Sequence, residues 1–326
     1  MSDFINTADV IGDEEACAQF VERTVTEYAD NRIQNIRSYA FCSCASLTKA
    51  DFPAVTNVGL YAFASCGSLE SANLPLATTV NSYAFNSCKK LASIDLPLLT
   101  IVPQGLCAYC DGLETVSVPN AITIGGYAFQ ECSSLQEINL PEATIIGSSA
   151  LRGCANLKSI YAPKVTELKD YAIAETGLTE ITEEMFPVLE KISGTYCFNS
   201  SDNLVSAKFA KLTSVGGCAF HRCMWLEKID FAKAVSFAAG AMETCSDLKA
   251  VILRDTETLS TSTVAMSNLF KNSGIASGKG YIYVPAALLE DYKVATNWID
   301  YADKFRALED YTVDGTTTGA LDETKI

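Results

Sequence analysis

Apolar residues recur along most of this chain with a period of 22 residues. Cysteine marks the period at Cys44, Cys66, Cys88, Cys110, Cys132 and Cys154, and the same step returns between Cys223 and Cys245. Leucine keeps it from Leu47 to Leu157, and proline keeps it from Pro53 to Pro163. Three residue types that share one period indicate a solenoid, in which each repeat buries its apolar side chains only by stacking on its neighbours.

The repeat from Leu135 to Asn156 shows which elements the pattern predicts. Its first residues, LQEINLP, alternate apolar and polar side chains as a short strand does. Pro141 ends the strand because proline cannot donate a ladder hydrogen bond. Gly147 supplies a turn, and the recurring Tyr-Ala-Phe block, as at residues 127–129, predicts a short helical or irregular return. Each large apolar side chain buried by stacking contributes about 1.5 to 3 kcal/mol, so the array is expected to fold as a whole.

The motif Y-A-F-x-x-C-x-x-L-x-x-I-x-L-P resembles that of the BspA-like class of bacterial leucine-rich repeats, over roughly residues 32–253. This resemblance implies a right-handed solenoid and a role in adhesion or protein binding. We therefore predict an α/β fold: a right-handed leucine-rich-repeat solenoid with one parallel β-sheet, about ten 22-residue repeats and helical caps at both ends. The motif is lost at Gly105–Cys107. At residues 176–199 the period breaks, which predicts a bulge or an extra turn.

Both ends of the array are expected to be capped, because an open apolar end would aggregate. An N-terminal capping helix is predicted within residues 1–31, since residues 13–29 place these apolar side chains on one helical face: Cys17, Phe20, Val21, Val25 and Tyr28. The solenoid spans residues 32–253, and residues 254–284 form an irregular terminal rung that ends in an apolar strand.

After this rung, Pro285 is expected to begin a C-terminal helical cap over residues 285–311. The cap would pack through Leu288, Leu289, Tyr292, Trp298, Tyr301 and Phe305. Residues 312–326 are polar and are predicted to form a flexible tail.

Charge and hydropathy narrow the classes of function. The 326 residues include 39 acidic and 24 basic side chains, a formal charge of -15, which argues against a nucleic-acid or anionic-membrane surface. The first residues lack a basic segment followed by an apolar run, and no window approaches 18 consecutive apolar residues. We therefore expect no signal peptide and no membrane insertion, and a chain that is made in the cytoplasm.

The closing module, IYVPAALLEDYKVATNWIDYADKF, is similar to the ends of short repeat proteins encoded by gut bacteria and by their prophages. This resemblance implies a route out of the cell without a signal peptide, either in a phage particle or by release on lysis. The chain would then be virion-associated, or located at the surface or outside the cell after release.

Two cysteine clusters are candidates for metal or redox chemistry. Cys107 and Cys110 spell C-A-Y-C, whereas Cys218, His221 and Cys223 spell C-x-x-H-x-C. Cys110 and Cys223 occupy the repeating cysteine position, and Cys107 occupies a phenylalanine position, so the repeat accounts for them better than a site does. We predict no catalytic residue, no metal and no cofactor, with a Cys/His-dependent enzyme as the third hypothesis.

The repeating cysteines could be buried thiols or a ladder of disulfides. Equivalent residues of adjacent repeats stand ~4.8 Å apart with parallel Cα–Cβ bonds, whereas a disulfide needs Cβ atoms at about 3.5 to 4.5 Å. We therefore expect buried free thiols that act as small hydrophobic side chains. Cys42 lies outside this set and is expected to be the most exposed thiol.

The outward side chains of the predicted sheet are the candidate binding surface. They are polar in successive repeats: Lys49, Asp51, Asn73, Asp95, Glu137, Asn139, Ser159 and Tyr161. Asp51 and Asp95 would lie ~10 Å apart, too far for a retaining glycosidase pair and marginal for an inverting one. We predict a non-enzymatic binding or adhesion protein that presents this polar, acidic face to a protein or glycan at a cell surface. The alternative is a phage or prophage virion component that acts in the tail or in host recognition.

Overall fold

The structure is a computed structural model that describes residues 26–262 and 266–310 and four two-residue strands near the termini. Side chains are described within residues 26–261 and 268–309. The chain divides into two compact units, residues 1–177 and residues 178–326. In both units each turn of the solenoid contributes two strands. Each of these strands pairs in parallel with the equivalent strand of the neighbouring turn, so the strands form two stacks, here called files.

The first unit contains sixteen strands among its described residues. In chain order they are β1 (Ile5–Asn6), β2 (Val10–Ile11), β3 (Glu27–Ala29), β4 (Asn35–Ile36), β5 (Lys49–Asp51), β6 (Asn57–Val58), β7 (Ser71–Asn73), β8 (Thr79–Val80), β9 (Ser93–Asp95), β10 (Ile101–Val102), β11 (Thr115–Ser117), β12 (Thr123–Ile124), β13 (Glu137–Asn139), β14 (Ile145–Ile146), β15 (Ser159–Tyr161) and β16 (Glu167–Leu168). Odd-numbered strands pair in parallel in the orders β3-β5-β7 and β9-β11-β13-β15. Even-numbered strands pair in the orders β2-β4-β6-β8 and β10-β12-β14-β16, and β1 pairs with β2 antiparallel.

The second unit continues the alternation and adds short helices. Its strands are β17 (Glu180–Ile181), β18 (Lys191–Ile192), β19 (Ser206–Phe209), β20 (Ser214–Val215), β21 (Lys228–Phe231), β22 (Ser236–Phe237), β23 (Ala250–Leu253), β24 (Thr261–Ser262), β25 (Tyr281–Val284), β26 (Phe305–Ala307), β27 (Thr312–Val313) and β28 (Thr316–Thr317). The helices are α1 (Met266–Leu269) and α2 (Leu289–Val294), with 3-10 segments at Ala286–Leu288, Ile299–Lys304 and Leu308–Asp310. Parallel pairing runs in the orders β17-β19-β21-β23-β25-β26 and β18-β20-β22-β24, and β27 pairs with β28 antiparallel.

The predicted leucine-rich-repeat solenoid is confirmed, but the expectation of one parallel sheet is incomplete. The even-numbered strands form a second file, because the backbone beyond each proline again runs beside its neighbour. The Thr56 amide, for example, donates to the Gln34 carbonyl oxygen at 2.9 Å. Strands of two residues are too short to show an alternation of apolar and polar side chains, so the sequence pattern did not reveal them.

Files of equivalent side chains fill the interior of each unit. The leucines from Leu47 to Leu157 that keep the 22-residue step are at most 1% exposed. The rings of Phe41, Phe63 and Phe85 stack with centroids 5.0 and 5.1 Å apart and planes within 4° of parallel. This arrangement explains the strict period, since each core side chain touches its own counterpart in the next turn.

The repeating cysteines form a second buried file, here called the cysteine file. From Cys66 onward, their thiols donate to the carbonyl oxygen of the residue 25 positions earlier, as Cys66 does to Phe41 at 2.9 Å and Cys223 does to Phe198 at 3.0 Å. Burial raises the pKa of Cys154 and of Cys223 to about 12. The prediction of buried thiols is confirmed, and the hydrogen bond to the preceding turn adds a reason for cysteine at this position.

Each turn also has two positions at which the backbone is left-handed. Tyr61 and Ser65 show the pattern, with φ of 52° and 61°, and their amides donate to the next turn at Ser82 and Asn86. The return segment that contains the Tyr-Ala-Phe block is therefore a series of tight turns joined to the neighbouring turn by backbone hydrogen bonds. The sequence left a helical or an irregular return open, and the irregular one is correct.

The break in the period at residues 176–199 lengthens one turn of the second unit. Glu180 in β17 pairs with Ser206 in β19, 26 residues further along the chain, instead of at the usual step of 22. A hydrogen-bonded turn fills part of the extra length, since the Met185 amide donates to the Thr182 carbonyl oxygen at 3.2 Å. The predicted extra turn is therefore confirmed, as a tight backbone turn within this longer repeat.

The prediction of a helix over residues 13–29 is wrong at the C-terminal end of that range. Glu27–Ala29 forms β3, and Tyr28 pairs in register with Ala50 because it stands 22 residues earlier and joins the repeat. The ring of Tyr28 packs 5.5 Å from the rings of Phe41 and Phe52. The remainder of the predicted helix, residues 13–25, lies outside the described residues.

The C-terminal cap is only partly helical. Tyr292, Trp298, Tyr301 and Phe305 are buried as predicted. Phe305 lies in β26, however, which extends the sheet beside β25 because its backbone can pair with that edge. The predicted strand before Pro285 is β25, and the irregular rung contains β24 and α1. The predicted flexible tail lies outside the described residues apart from β27 and β28.

Candidate functional site

The three-residue strands of the first unit place their side chains alternately inside and outside. Ile94 in β9 is buried, whereas Ser93 and Asp95 on either side of it are exposed. Successive side chains of a strand point to opposite faces, so a three-residue strand turns two side chains outward. The outward side chains of β5, β7, β9, β13 and β15 include all eight predicted contact residues.

We call these eight residues the sheet face: Lys49, Asp51, Asn73, Asp95, Glu137, Asn139, Ser159 and Tyr161. All are exposed except Asp51, which is half-buried. Parallel pairing places Asp51 opposite Asn73, Glu137 opposite Ser159 and Asn139 opposite Tyr161. The structure thus brings them together in two sheets, with Lys49, Asp51 and Asn73 in one and the other five in the second.

Contacts within the sheet face are few and polar. The Asn73 Nδ2 atom donates to Asp51 Oδ1 at 2.7 Å, which holds both side chains in place. Tyr161 is 53% exposed and is the largest side chain of the face. The face can therefore offer carboxylates, amides and one aromatic ring to a partner.

A cavity of about 410 Å³ lies beside the first turn and is lined by Ala29, Asp30, Asn31, Arg32, Asp51 and Pro53. Arg32 Nη2 lies 2.8 Å from Asp30 Oδ2. The hydrogen bond from Arg32 lowers the pKa of Asp30. The carboxylate of Asp30 is therefore paired within the cavity.

The corresponding face of the second unit is covered in part. Asp230 in β21 is fully buried and accepts two hydrogen bonds from Arg254, at 2.8 and 2.7 Å. Next to it, Ala250, Ile252 and Tyr283 form an apolar cluster against which Leu308 packs. Asp230 stands at an outward position of its strand, so the repeat pattern alone gave no sign of its burial.

The first cysteine cluster lies in the core. Cys107 and Cys110 are fully buried, and Cys110 donates to the Phe85 carbonyl oxygen at 3.0 Å. Burial raises the pKa of Cys107 well above its ordinary value, which opposes thiolate formation. The C-A-Y-C segment therefore belongs to the core, as the repeat predicted.

Cys218, His221 and Cys223 make separate hydrogen bonds. His221 Nδ1 lies 2.8 Å from Asn199 Oδ1, and Cys218 donates weakly to the Ala239 carbonyl oxygen at 3.9 Å. Burial lowers the pKa of His221. Within the part of the chain that the structure describes, no three His, Cys, Asp or Glu side chains are grouped as ligands for a metal ion.

Comparisons with known proteins agree with this architecture. The model of the BspA type leucine rich repeat region matches six copies, over residues 24–133, 122–249 and 186–278. No curated protein matches the chain.

Of the helices within the described residues, none is long and apolar enough to cross a membrane.

Two solved structures show the same fold. A leucine-rich repeat protein from Bacteroides ovatus is 22% identical with a TM-score of 0.60, over 91% of this chain and 87% of that protein. A leucine rich cell surface protein from Faecalibacterium prausnitzii is 21% identical with a TM-score of 0.50, over 84% of this chain and 82% of that protein. Since the family model covers well over half of its residues, the chain belongs to the family of BspA-type leucine-rich-repeat proteins.

Proposed function

We propose that this chain is a non-enzymatic binding or adhesion protein whose sheet face contacts a protein or glycan at a cell surface. The observation that carries the proposal is the contrast between the two sides of the odd-numbered strands in the first unit. Ile94, Ile138 and Ile160 are at most 3% exposed, whereas the sheet face beside them is polar and open to solvent. The side chains of the sheet face contribute little to the core, so their residue types can serve to recognise a partner.

The charges of the sheet face favour one class of partner. The face carries three carboxylates, on Asp51, Asp95 and Glu137, against one lysine, Lys49. Complementary charge speeds association and fixes orientation, so a partner with a basic or polar surface is favoured. Tyr161 supplies the exposed aromatic ring that binding hot spots commonly contain.

Family membership supports a binding role, because leucine-rich repeat proteins use exposed repeat surfaces to bind other proteins. The protein from Faecalibacterium prausnitzii is described as a cell surface protein, and the same location is proposed for this chain. Detection of the chain by mass spectrometry in purified particles from an induced culture would favour the virion alternative instead.

The test compares two pairs of charge reversals that change the net charge equally. Asp95→Lys with Glu137→Lys alters the sheet face, whereas Asp111→Lys with Asp202→Lys alters exposed turns outside the strands. Each variant and the parent are measured against immobilised extracellular-matrix proteins and glycans. Binding that only the first pair abolishes is the expected result. Equal binding by all three proteins, or equal loss in both pairs, would show that the sheet face is not the contact surface.

A further inference from the structure

Four large aliphatic side chains are exposed in the part of the first unit that forms the even-numbered strands. Leu76, Leu98, Ile101 and Ile122, here called the apolar patch, are between 42% and 63% exposed. Leu76 and Leu98 occupy the same position of adjacent repeats, Ile101 begins β10, and Ile122 immediately precedes β12. The inward position of β10 is filled by the fully buried Val102, so the core does not account for the exposed isoleucine beside it.

Ile122 interrupts a row of threonines that hydrogen-bond to the backbone. The Thr78 hydroxyl donates to the Thr56 carbonyl oxygen at 3.3 Å, and the Thr144 hydroxyl donates to the Ile122 carbonyl oxygen at 3.3 Å. An isoleucine at this position cannot make such a bond and exposes a hydrocarbon side chain instead. The stability of the single chain therefore gives no reason for this residue type.

The other positions of the apolar patch also carry polar residues in neighbouring turns. Ile101 pairs in register with Thr123 of β12. The position of Leu98 is taken in the next repeat by Asn120, whose Nδ2 atom donates to the Pro97 carbonyl oxygen at 2.7 Å. Apolar side chains have thus replaced polar ones at several outward positions within a few turns.

The surface around the apolar patch carries no charge through four successive repeats. Asp, Glu, Lys and Arg are absent from four stretches that contain these strands and the turns before them: residues 52–69, 71–88, 96–110 and 115–130. Charge returns in the following repeat with Glu142, whose carboxylate lies 2.6 Å from Lys164 Nζ. A chain with a formal charge of -15 therefore has an uncharged and partly apolar surface here.

We propose that the apolar patch is the centre of an interface with a second copy of this chain. Two copies of a strongly acidic chain repel each other wherever their charged surfaces meet, so contact is favoured where both surfaces are uncharged. A two-fold axis through the patch would bring the same surface of both copies together. Equivalent side chains of adjacent turns stand ~4.8 Å apart in both copies, so the rows of one copy match the spacing of the rows of the other.

The composition of the surface resembles that of an interface. Apolar side chains lie at its centre, and threonine and asparagine side chains surround them, as in the apolar core and polar rim of protein interfaces. Because the apolar centre contains only four side chains, the dimer is expected to be weak, with a dissociation constant of about 1 to 100 µM.

The apolar patch is separate from the sheet face. It lies on even-numbered strands and the turns before them, whereas the sheet face lies on odd-numbered strands. The inference therefore does not depend on the function proposed for the sheet face. A monomeric chain that still binds through the sheet face would refute this inference alone.

Sedimentation velocity of the full chain, from about 1 to about 300 µM, measures the monomer–dimer equilibrium around the expected dissociation constant. Raising NaCl from 0.1 to 1 M shortens the screening length from about 10 to about 3 Å, which weakens the repulsion between the two acidic copies. The dimer should then become at least threefold tighter. A dimer held by opposite charges would become weaker instead.

Ile101→Thr with Ile122→Thr tests the patch, because it restores the residue type that neighbouring turns carry. This variant should weaken the dimer at least tenfold, and circular dichroism melts confirm that it is folded. Val205→Thr with Ile299→Thr is the matched control, since it removes two other exposed aliphatic side chains, both in the second unit. The control should leave the dissociation constant within twofold of the parent.

Each other outcome overturns the proposal. A parent that stays monomeric at about 300 µM in 1 M NaCl shows that the patch does not bind a second copy. A dimer that both threonine pairs weaken equally, or that weakens as salt is raised, is not centred on the patch. A dimer lost in Asp95→Lys with Glu137→Lys but kept in Ile101→Thr with Ile122→Thr forms through the sheet face.

Discussion

Raising the pH from 8 to 10 is expected to destabilise the protein through its buried thiols. Burial raises the pKa of Cys154 and Cys223 from the ordinary 9.0 to about 12. It also raises the pKa values of Cys88, Cys107, Cys132 and Cys245 well above 9.0. Unfolding exposes these thiols to water, where they ionise at their ordinary pKa. Above pH 9 the unfolded state therefore binds fewer protons than the folded state, and the free energy of unfolding falls as pH rises.

The size of the effect follows from the two pKa values of one thiol. With a pKa of 9.0 in the unfolded state and about 12 in the folded state, the loss at pH 10 is about 1.4 kcal/mol per thiol. At pH 8 it is below about 0.1 kcal/mol, so the stabilisation is fully present below pH 9 and is lost progressively between pH 9 and 12. Cys154 and Cys223 together lose about 2.8 kcal/mol at pH 10, and the other four thiols act in the same direction.

Urea unfolding followed by circular dichroism at pH 7, 8, 9 and 10, with a reductant present, measures this loss. Cys154→Ser keeps a hydrogen-bond donor that does not ionise in this range, and Cys154→Ala removes the donor. Both variants should lose about 1.4 kcal/mol less than the parent between pH 8 and 10, and at pH 7 the serine variant should be the more stable of the two. A parent whose unfolding free energy is flat from pH 8 to 10, or a serine variant with the parent's full pH dependence, would refute the reasoning.

Three further sets of substitutions test the interior and the backbone. Leu135→Asp should destabilise the protein by several kcal/mol because it removes a fully buried side chain and adds an unpaired charge, and an unchanged melting temperature would contradict the inward assignment. Arg254→Ala should lower the free energy of unfolding, measured in urea, by about 3 to 5 kcal/mol because it leaves the carboxylate of Asp230 buried and unpaired. Adding Asp230→Asn should recover part of that loss. If Arg254→Ala alone is as stable as the parent, the ion pair is dispensable. Ser65→Gly should raise the free energy of unfolding by up to about 1 kcal/mol because φ there is 61°, whereas Ser71→Gly in β7 should lower it; the opposite signs would argue against left-handed strain in the return segment.

The buried side chains could be predicted from the sequence because one 22-residue period fixes which positions of every repeat point inward. Leu135 and Cys132 each touch their own counterparts in neighbouring turns, so the residue type is repeated and the inward direction can be read directly. The same reasoning placed Cys107 in the core, since it stands where other turns carry phenylalanine. It also placed the sheet face, because the residues on either side of an inward side chain in a strand must point outward.

Features that depend on more distant contacts could not be predicted in this way. Asp230 is outward in its strand, yet Arg254 and an adjoining apolar cluster bury it, and no local pattern indicates that cover. Tyr28 fits a helical spacing with Val21 and Val25 and also the 22-residue step to Ala50. The backbone pairing of Tyr28 with Ala50 decides between the two, and the sequence alone gave no measure of it.

The first left-handed position shows that one turn can change its surface while its backbone keeps the same conformation. Tyr83, Gly105, Ser149 and Cys218 all occupy this position with φ between 53° and 62°, so the backbone accepts side chains of very different size. In the turn of Gly105 the surface motif is lost, but the cysteine file continues through the buried Cys110. Exchange at these positions can therefore change the surface of a turn while its backbone conformation is kept.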